Sequence, residues 1–345
     1  MQAVVLTGSA GSLGRRVLDL LCEDDDAPQV IGVDVVDHTA TAPSRASTRT
    51  VDLLSHDLVG LFEGADTVVH LASVLAPASR GIDVGRDVEL TRRVMDAARC
   101  AGVGSLVVMS SATVYGAWPD NPVPLTEDAP VRPNPGFDFA AEKVAIEQLA
   151  ADLRARVPTM AVAVLRPTVA LADGEQSWVS QVLASAAGVR AGDMDPPVQF
   201  LHFDDLASAA VLAARARLDG CYNVAPDGWI PPDVMREFAI LPRPRVPVWV
   251  ADQLTSARFH LGLSTMPPEI LPWTIHPWVV ANDKLRAEGW IPENTNEEAY
   301  VAGTAPGPLD TLSPKRRQEI TLALAGAAIA AAGVGAAAWL RHRTR

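Results

Sequence analysis

Eight residues near the start of the chain, Thr7-Gly8-Ser9-Ala10-Gly11-Ser12-Leu13-Gly14, have the types and spacing to hold a phosphate-bearing ligand. They follow the apolar run Val4-Val5-Leu6 and precede a helical pattern at Val17, Leu18, Leu20 and Leu21. Gly8 permits a tight turn, Gly11 lets the backbone approach a pyrophosphate, and Gly14 lets the helix close on the strand. The new helix aims free N–H groups and the positive end of its dipole at the anion. Asp34 lies 20 residues past Gly14, at the end of a second strand. Its carboxylate would accept a hydrogen bond from a ribose 2′-OH and repel a 2′-phosphate, so NAD is expected rather than NADP. Arg15 and Arg16, beside the loop, pull slightly the other way.

Other chemistry is thin. No His, Cys, Asp or Glu cluster has metal-ligand spacing, so no metal is expected. Ser111 lacks a nucleophile-elbow motif, which argues against a hydrolase. His70 could line the cofactor, but a hydrogen-bonded histidine is the expected role. Asp204 and Asp205 precede an apolar run and are expected to cap that helix.

Strands and helices must alternate to position these groups. Strand patterns cover 29–33, 65–72, 105–110 and 160–165, with helical patterns over 84–98 and 139–156. This alternation predicts an α/β fold, a Rossmann-type doubly wound parallel sheet with a small C-terminal cap. Residues 1–170 read as the NAD-binding core. Residues 171–300, broken by many prolines, read as the remaining elements and the cap, with no second long sheet. Residues 301–319 read as a linker.

The chain has 345 residues, 48% hydrophobic and 20% charged, which is a globular composition. A net charge of -12 without a basic stripe in the body argues against nucleic acid as a partner. Cys22, Cys100 and Cys221 form no CxxC pair and are expected as reduced thiols. No secretory signal is visible at the N-terminus. Residues 320–340 carry no charge and would span roughly 31 Å as a helix, with basic residues on both sides. They predict a C-terminal hydrophobic, transmembrane helix with a basic tail over 341–345. The expected location is therefore a cell membrane, tail-anchored, with a cytoplasmic body.

Several segments resemble the extended short-chain dehydrogenase/reductase family, the NAD-dependent epimerases and dehydratases. The glycine loop matches its TGxxGxxG, and Val51-Asp52-Leu53 is similar to its adenine-contacting Asp–hydrophobic pair. His70-Leu71-Ala72-Ser73 resembles its HxAA stretch, and the segment from Ser110 to Gly116 matches SSxxVYG. The segment from Gln199 to Leu206, and Tyr222-Asn223-Val224, resemble two later elements, so the likeness reaches about residue 295. It implies cofactor contacts at Gly8, Ser9, Gly11, Ser12, Leu13, Gly14, Asp34, Asp52, Leu53, Leu71, Ala72, Ser73, Lys143 and Pro167.

The resemblance also implies hydride transfer by a Ser/Thr and a YxxxK pair. Ser111 would hydrogen-bond the reacting oxygen, and Lys143 would bind the nicotinamide ribose. The tyrosine position, however, is Phe139, which has no proton to give; that chemistry is typically worth ~10²–10⁴ in rate. Val169 stands where sugar-nucleotide enzymes usually show an asparagine, and Arg166-Pro167-Thr168 looks more like members handling apolar substrates or none. Tyr115 is a candidate substitute for the missing hydroxyl, although in the family it is mainly structural.

Two functions are therefore expected. One is an epimerase/dehydratase-like oxidoreductase with impaired chemistry on a lipid-linked sugar, nucleotide sugar or sterol-like substrate. The other is a non-catalytic NAD(H)-binding sensor or scaffold of a membrane complex. A homodimer through 83–102 and 139–156, or a membrane-protein partner, is a further expectation.

Overall fold

The structure, a computed structural model, describes residues 1–24, 26–73, 85–171, 190–192, 195–238, 245–262 and 268–304. A seven-stranded parallel sheet forms its centre. The strands are β1 (Ala3–Thr7), β2 (Gln29–Asp34), β3 (Ala46–Thr50), β4 (Thr67–His70), β5 (Ser105–Met109), β6 (Ala161–Pro167) and β10 (Gly220–Val224). Their order is β10-β6-β5-β4-β1-β2-β3. The chain thus winds outward from β1 in both directions, as the alternating pattern predicts. Four short strands lie outside this sheet: β7 (Val169–Leu171) pairs with β9 (Phe200–His202), and β8 (Arg190–Ala191) with β11 (Arg245–Val246).

Both faces of the sheet are covered, which is why its strands read as continuous apolar runs. Side chains alternate between two cores. Leu6, Val107 and Leu165 face one layer, with helices α1 (Ser12–Cys22) and α5 (Phe203–Arg215) packed there. Val5, Leu106 and Val164 face the other, against α2 (Leu58–Phe62), α3 (Arg86–Cys100) and α4 (Asp138–Arg156). A third cluster joins the cap to the sheet and centres on Phe137, Trp273 and Trp278.

Local details add to this reading. The polar edge strand β3, Ala-Ser-Thr-Arg-Thr, has no apolar alternation and is invisible as a strand until β2 pairs with it. β10, which contains the Tyr222-Asn223-Val224 segment and lies in the region read as the remaining elements and the cap, completes the main sheet beside β6. The cap of α5 is His202, which accepts from the Asp204 N–H at 3.3 Å. Asp204 instead pairs with Arg16, and Asp205 accepts the N–H groups of Glu293 and Asn294.

The expected membrane location is corrected. No helix among the described residues is long and apolar enough to cross a membrane. Segment 320–340, which carried that expectation, lies outside the described residues, as do most of the expected linker and the 341–345 tail. Its run is mostly Ala and Gly, which supply little apolar area per residue and make a weak membrane signal.

Candidate functional site

The glycine loop follows β1, Asp34 ends β2, Leu71–Ser73 follow β4, Ser111 follows β5 and Pro167 ends β6, so these expected residues lie at the carboxyl ends of the strands, where open α/β sheets bind ligands. Gly8 has φ +78°, open to glycine at little cost. A Cβ on it would stand 2.6 Å from Ala72 N, so the loop abuts the Leu71–Ala72 stretch after β4. A Cβ on Gly14 would stand 2.0 Å from Gly8 O. Gly14→Ala is therefore expected to cost about 1–3 kcal/mol of stability by overpacking, read by urea unfolding. The N-terminus of α1, with Gly11 as its cap residue and Ser12 and Leu13 in its first turn, has no side-chain cap hydrogen bond. These features fit a dinucleotide pyrophosphate.

Asp34 ends β2 and does more than the sequence indicates. Its Oδ2 accepts the Ala10 N–H at 2.9 Å and its Oδ1 accepts the Val36 N–H at 3.1 Å. The carboxylate thereby ties the glycine loop to the end of β2. Ser9 turns inward: its hydroxyl is fully buried against His38 Nε2, 2.9 Å away, so its side chain belongs to the fold. Asp52 is exposed and accepts from Leu54 N and Ser55 Oγ, and these bonds hold its carboxyl below the usual range. Leu53 beside it is buried.

Ser111 caps the turn Ala112–Tyr115 after β5 and is 8% exposed. Its Oγ accepts both the Thr113 N–H (3.2 Å) and the Thr113 hydroxyl (3.0 Å). With its lone pairs engaged, its own hydrogen is left to donate. Phe139, at the position assigned to tyrosine, is also 8% exposed and packs its ring 5.8 Å from that of Phe137. Lys143 Nζ, one turn further along α4, lies 5.6 Å from the Phe139 centroid.

Sequence reasoning missed the partner of Lys143. Asp87, in the first turn of α3, lies 3.4 Å from Lys143 Nζ and accepts the Ser73 hydroxyl at 2.7 Å. Both members of the pair are buried. Its signal would have been one of two acids, Asp87 and Glu89, in the first turn of α3, which ordinarily read as dipole partners.

Tyr115 has two partners for its hydroxyl within the fold. Its ring is fully buried; its hydroxyl donates to Asn223 Oδ1 (2.8 Å) and accepts from Arg166 Nη1 (2.7 Å). Burial pushes its pKa up to about 12. Arg166 also grips the Glu147 carboxylate through Nε and Nη2, at 2.9 and 2.6 Å, and Ser110 Oγ donates to that carboxylate at 2.6 Å. His70 likewise is committed to the fold. Thr7 Oγ1 meets its Nδ1 and Thr91 Oγ1 its Nε2, and burial lowers its pKa to about 4. It is neutral at pH 7. Among the described residues no group of three or more potential ligands could hold a metal.

A wound parallel sheet with a glycine loop at β1 and an acid at the end of β2 defines a dinucleotide-binding α/β protein. The NAD dependent epimerase/dehydratase family matches residues 4–225, and this chain belongs to that family. A UDP-glucose 4-epimerase of Streptomyces lividans is 31% identical over 243 residues, covering 62% of this chain and 71% of that protein. A 3-diazoavenalumate denitrifying reductase of a Streptomyces species is 29% identical over 280 residues, 73% of this chain and 86% of its own length. The solved structure of MoeE5 in complex with UDP-glucose and NAD shares the fold. Its TM-score is 0.64 at 21% identity, over 87% of this chain and 97% of that one.

Proposed function

We propose that the chain holds NAD along the carboxyl edge of the sheet and is an oxidoreductase of its family with crippled alcohol–ketone chemistry. The observation that carries this is Phe139. Its ring lies 5.6 Å from the Lys143 ammonium, in one core cluster with the turn that Ser111 caps, and has no proton to exchange. When bound, NAD supplies the hydride acceptor and, once reduced, the hydride donor.

The residues divide the work of binding. The loop from Gly8 to Gly14, with Ser12 and Leu13 at the head of α1, cradles the pyrophosphate. Asp34 orients the adenosine ribose, Asp52 and Leu53 border the adenine, and Leu71, Ala72 and Ser73 line the path onward. Lys143 and Pro167 flank the nicotinamide half. Ser111 directs its free hydrogen at a substrate oxygen. With no hydroxyl at residue 139, the proton of an alcohol must pass to water or to the substrate itself.

For the substrate, the family and the relatives named for UDP-glucose favour a nucleotide sugar. Val169, buried and apolar, offers no amide for one, which keeps a lipid-linked sugar or sterol-like compound in view. A second reading, a non-catalytic NAD(H)-binding sensor or scaffold, is favoured by the Lys143–Asp87 pair. That pair gives Lys143 a partner within the protein whether or not chemistry follows.

NADH absorbance with a panel of nucleotide sugars and sterols, alongside calorimetry with NAD and NADP, tests the proposal. Steady turnover supports the oxidoreductase; NAD binding without any turnover moves the assignment to the sensor; failure to bind either dinucleotide ends both. Asp34→Ala is expected to weaken NAD about tenfold and narrow its preference over NADP, since hydrogen bonds to a charged group are lost. An unchanged NAD/NADP ratio would remove Asp34 from the ribose site.

A further inference from the structure

A cavity of about 630 Å³ lies between the cap and the loops that follow β5 and precede α4. None of the residues assigned above to the cofactor or to hydride transfer lines it. Its volume suits a small organic molecule. The cap helix Val248–His260 forms one wall and contributes Asp252. The short helix Pro272–Ile275 and the residues before it form a second, contributing Glu269, Leu271 and Ile275.

The third wall comes from loops next to the candidate site. Trp118 follows the turn that Ser111 caps, and Pro135 precedes α4. Asn134, in the same wall, holds the two loops together. Its Oδ1 accepts the Ala117 N–H at 2.7 Å and its Nδ2 donates to Ala117 O at 3.2 Å. Trp273, in the short helix, packs its ring 5.6 Å from that of Phe137, which in turn lies 5.8 Å from that of Phe139. One aromatic layer thus joins a wall of the cavity to Phe139.

The lining is apolar and acidic. Trp118, Leu271 and Ile275 offer carbon surface, and Asp252 and Glu269 bring carboxylates. Both acids are exposed, and among the described residues neither has an ion-pair partner. No lysine or arginine stands among the described lining residues. His276 is also in the wall, and burial lowers its pKa from the ordinary value of a histidine, which keeps it neutral at pH 7. The Arg132 guanidinium lies over the Trp118 ring but is paired with Asp120. A phosphate brought into this space would meet two like charges, whereas an ammonium would meet two opposite ones.

We propose that the cavity receives the apolar body of a phosphate-free substrate that carries a protonated amine, held by Asp252 and Glu269. The proposal rests on the oxidoreductase reading above and narrows its substrate class. The test is calorimetry on the full chain with three ligands that share one ring and differ in tail charge. They are tryptamine (cationic), 3-ethylindole (neutral) and indole-3-propionate (anionic). UDP-glucose is added as a competitor of tryptamine, and NAD is titrated into the same samples.

Tryptamine is expected to bind about fivefold more tightly than 3-ethylindole, the scale of two exposed ion pairs, and indole-3-propionate more weakly than either. In the double variant Asp252→Asn, Glu269→Gln the three affinities should converge. Should that variant not fold, each single substitution repeats the comparison. The substitutions change the net charge of -12 by only two, so a preference born of overall charge would survive them. Its survival overturns the proposal. So does displacement of tryptamine by UDP-glucose, or a protein that binds NAD and no tryptamine. Failure of NAD to bind sinks the oxidoreductase reading instead, and an amine preference that the double variant abolishes still assigns the cavity its ligand class.

Discussion

Phe139→Tyr is expected to raise NAD-dependent alcohol–ketone turnover by about 10²- to 10⁴-fold, the usual value of a positioned acid–base group. The substitution keeps the ring and its packing on Phe137, 5.8 Å away, and adds only the para hydroxyl. Lys143 is already in place four residues on, with Nζ 5.6 Å from the ring centroid. Its positive charge would favour the tyrosinate and draw the new hydroxyl's pKa down from the value of ~10 for a free tyrosine. The turn that Ser111 caps packs in the same core cluster as residue 139. NADH absorbance with wild type and variant side by side reads the effect. A tyrosine variant that binds NAD tightly yet gains no turnover would show that more than one atom is missing, and would favour the sensor.

Arg166→Leu is expected to cost about 3–5 kcal/mol of stability, the typical cost of removing one member of a buried ion pair. Arg166 and Glu147 are almost wholly buried and joined by two hydrogen bonds. Removing the guanidinium leaves the Glu147 carboxylate with only Ser110 of these partners, and takes one hydrogen bond from the Tyr115 hydroxyl. Burial by itself would lower the Arg166 pKa, but Glu147 overrides it and raises it, so the charge stays on arginine at every working pH. Urea unfolding reads the loss. The double variant Arg166→Leu, Glu147→Leu should recover much of it, because no uncompensated charge then remains. A double variant as unstable as the single one would place the cost in packing instead.

Legibility in the sequence followed the range of the interactions. Gly8, Gly11 and Gly14 announced their turn because steric freedom is a local property, and β1, β5 and β6 announced themselves because both their faces are apolar. β3 did not: its polar residues become a strand only through hydrogen bonds to β2. His202 was passed over as a helix cap in favour of the acids after it, because the choice depends on what Asp204 and Asp205 find elsewhere. They find Arg16 and the segment at Glu293, far away in the chain.

The same division runs through the site. By itself the sequence determined the glycine loop, the acid closing β2, the absence of a hydroxyl at residue 139 and the alternation that builds a wound sheet. Each depends on residue type and short spacing. The tertiary structure alone decided that Lys143 meets Asp87, 56 residues away. It also committed the Tyr115 hydroxyl to Arg166 and Asn223 and turned Ser9 toward His38. Those outcomes depend on which side chains the sheet brings within about 3 Å of one another, the range over which a hydrogen bond acts. Spacing along the chain carries no record of that distance.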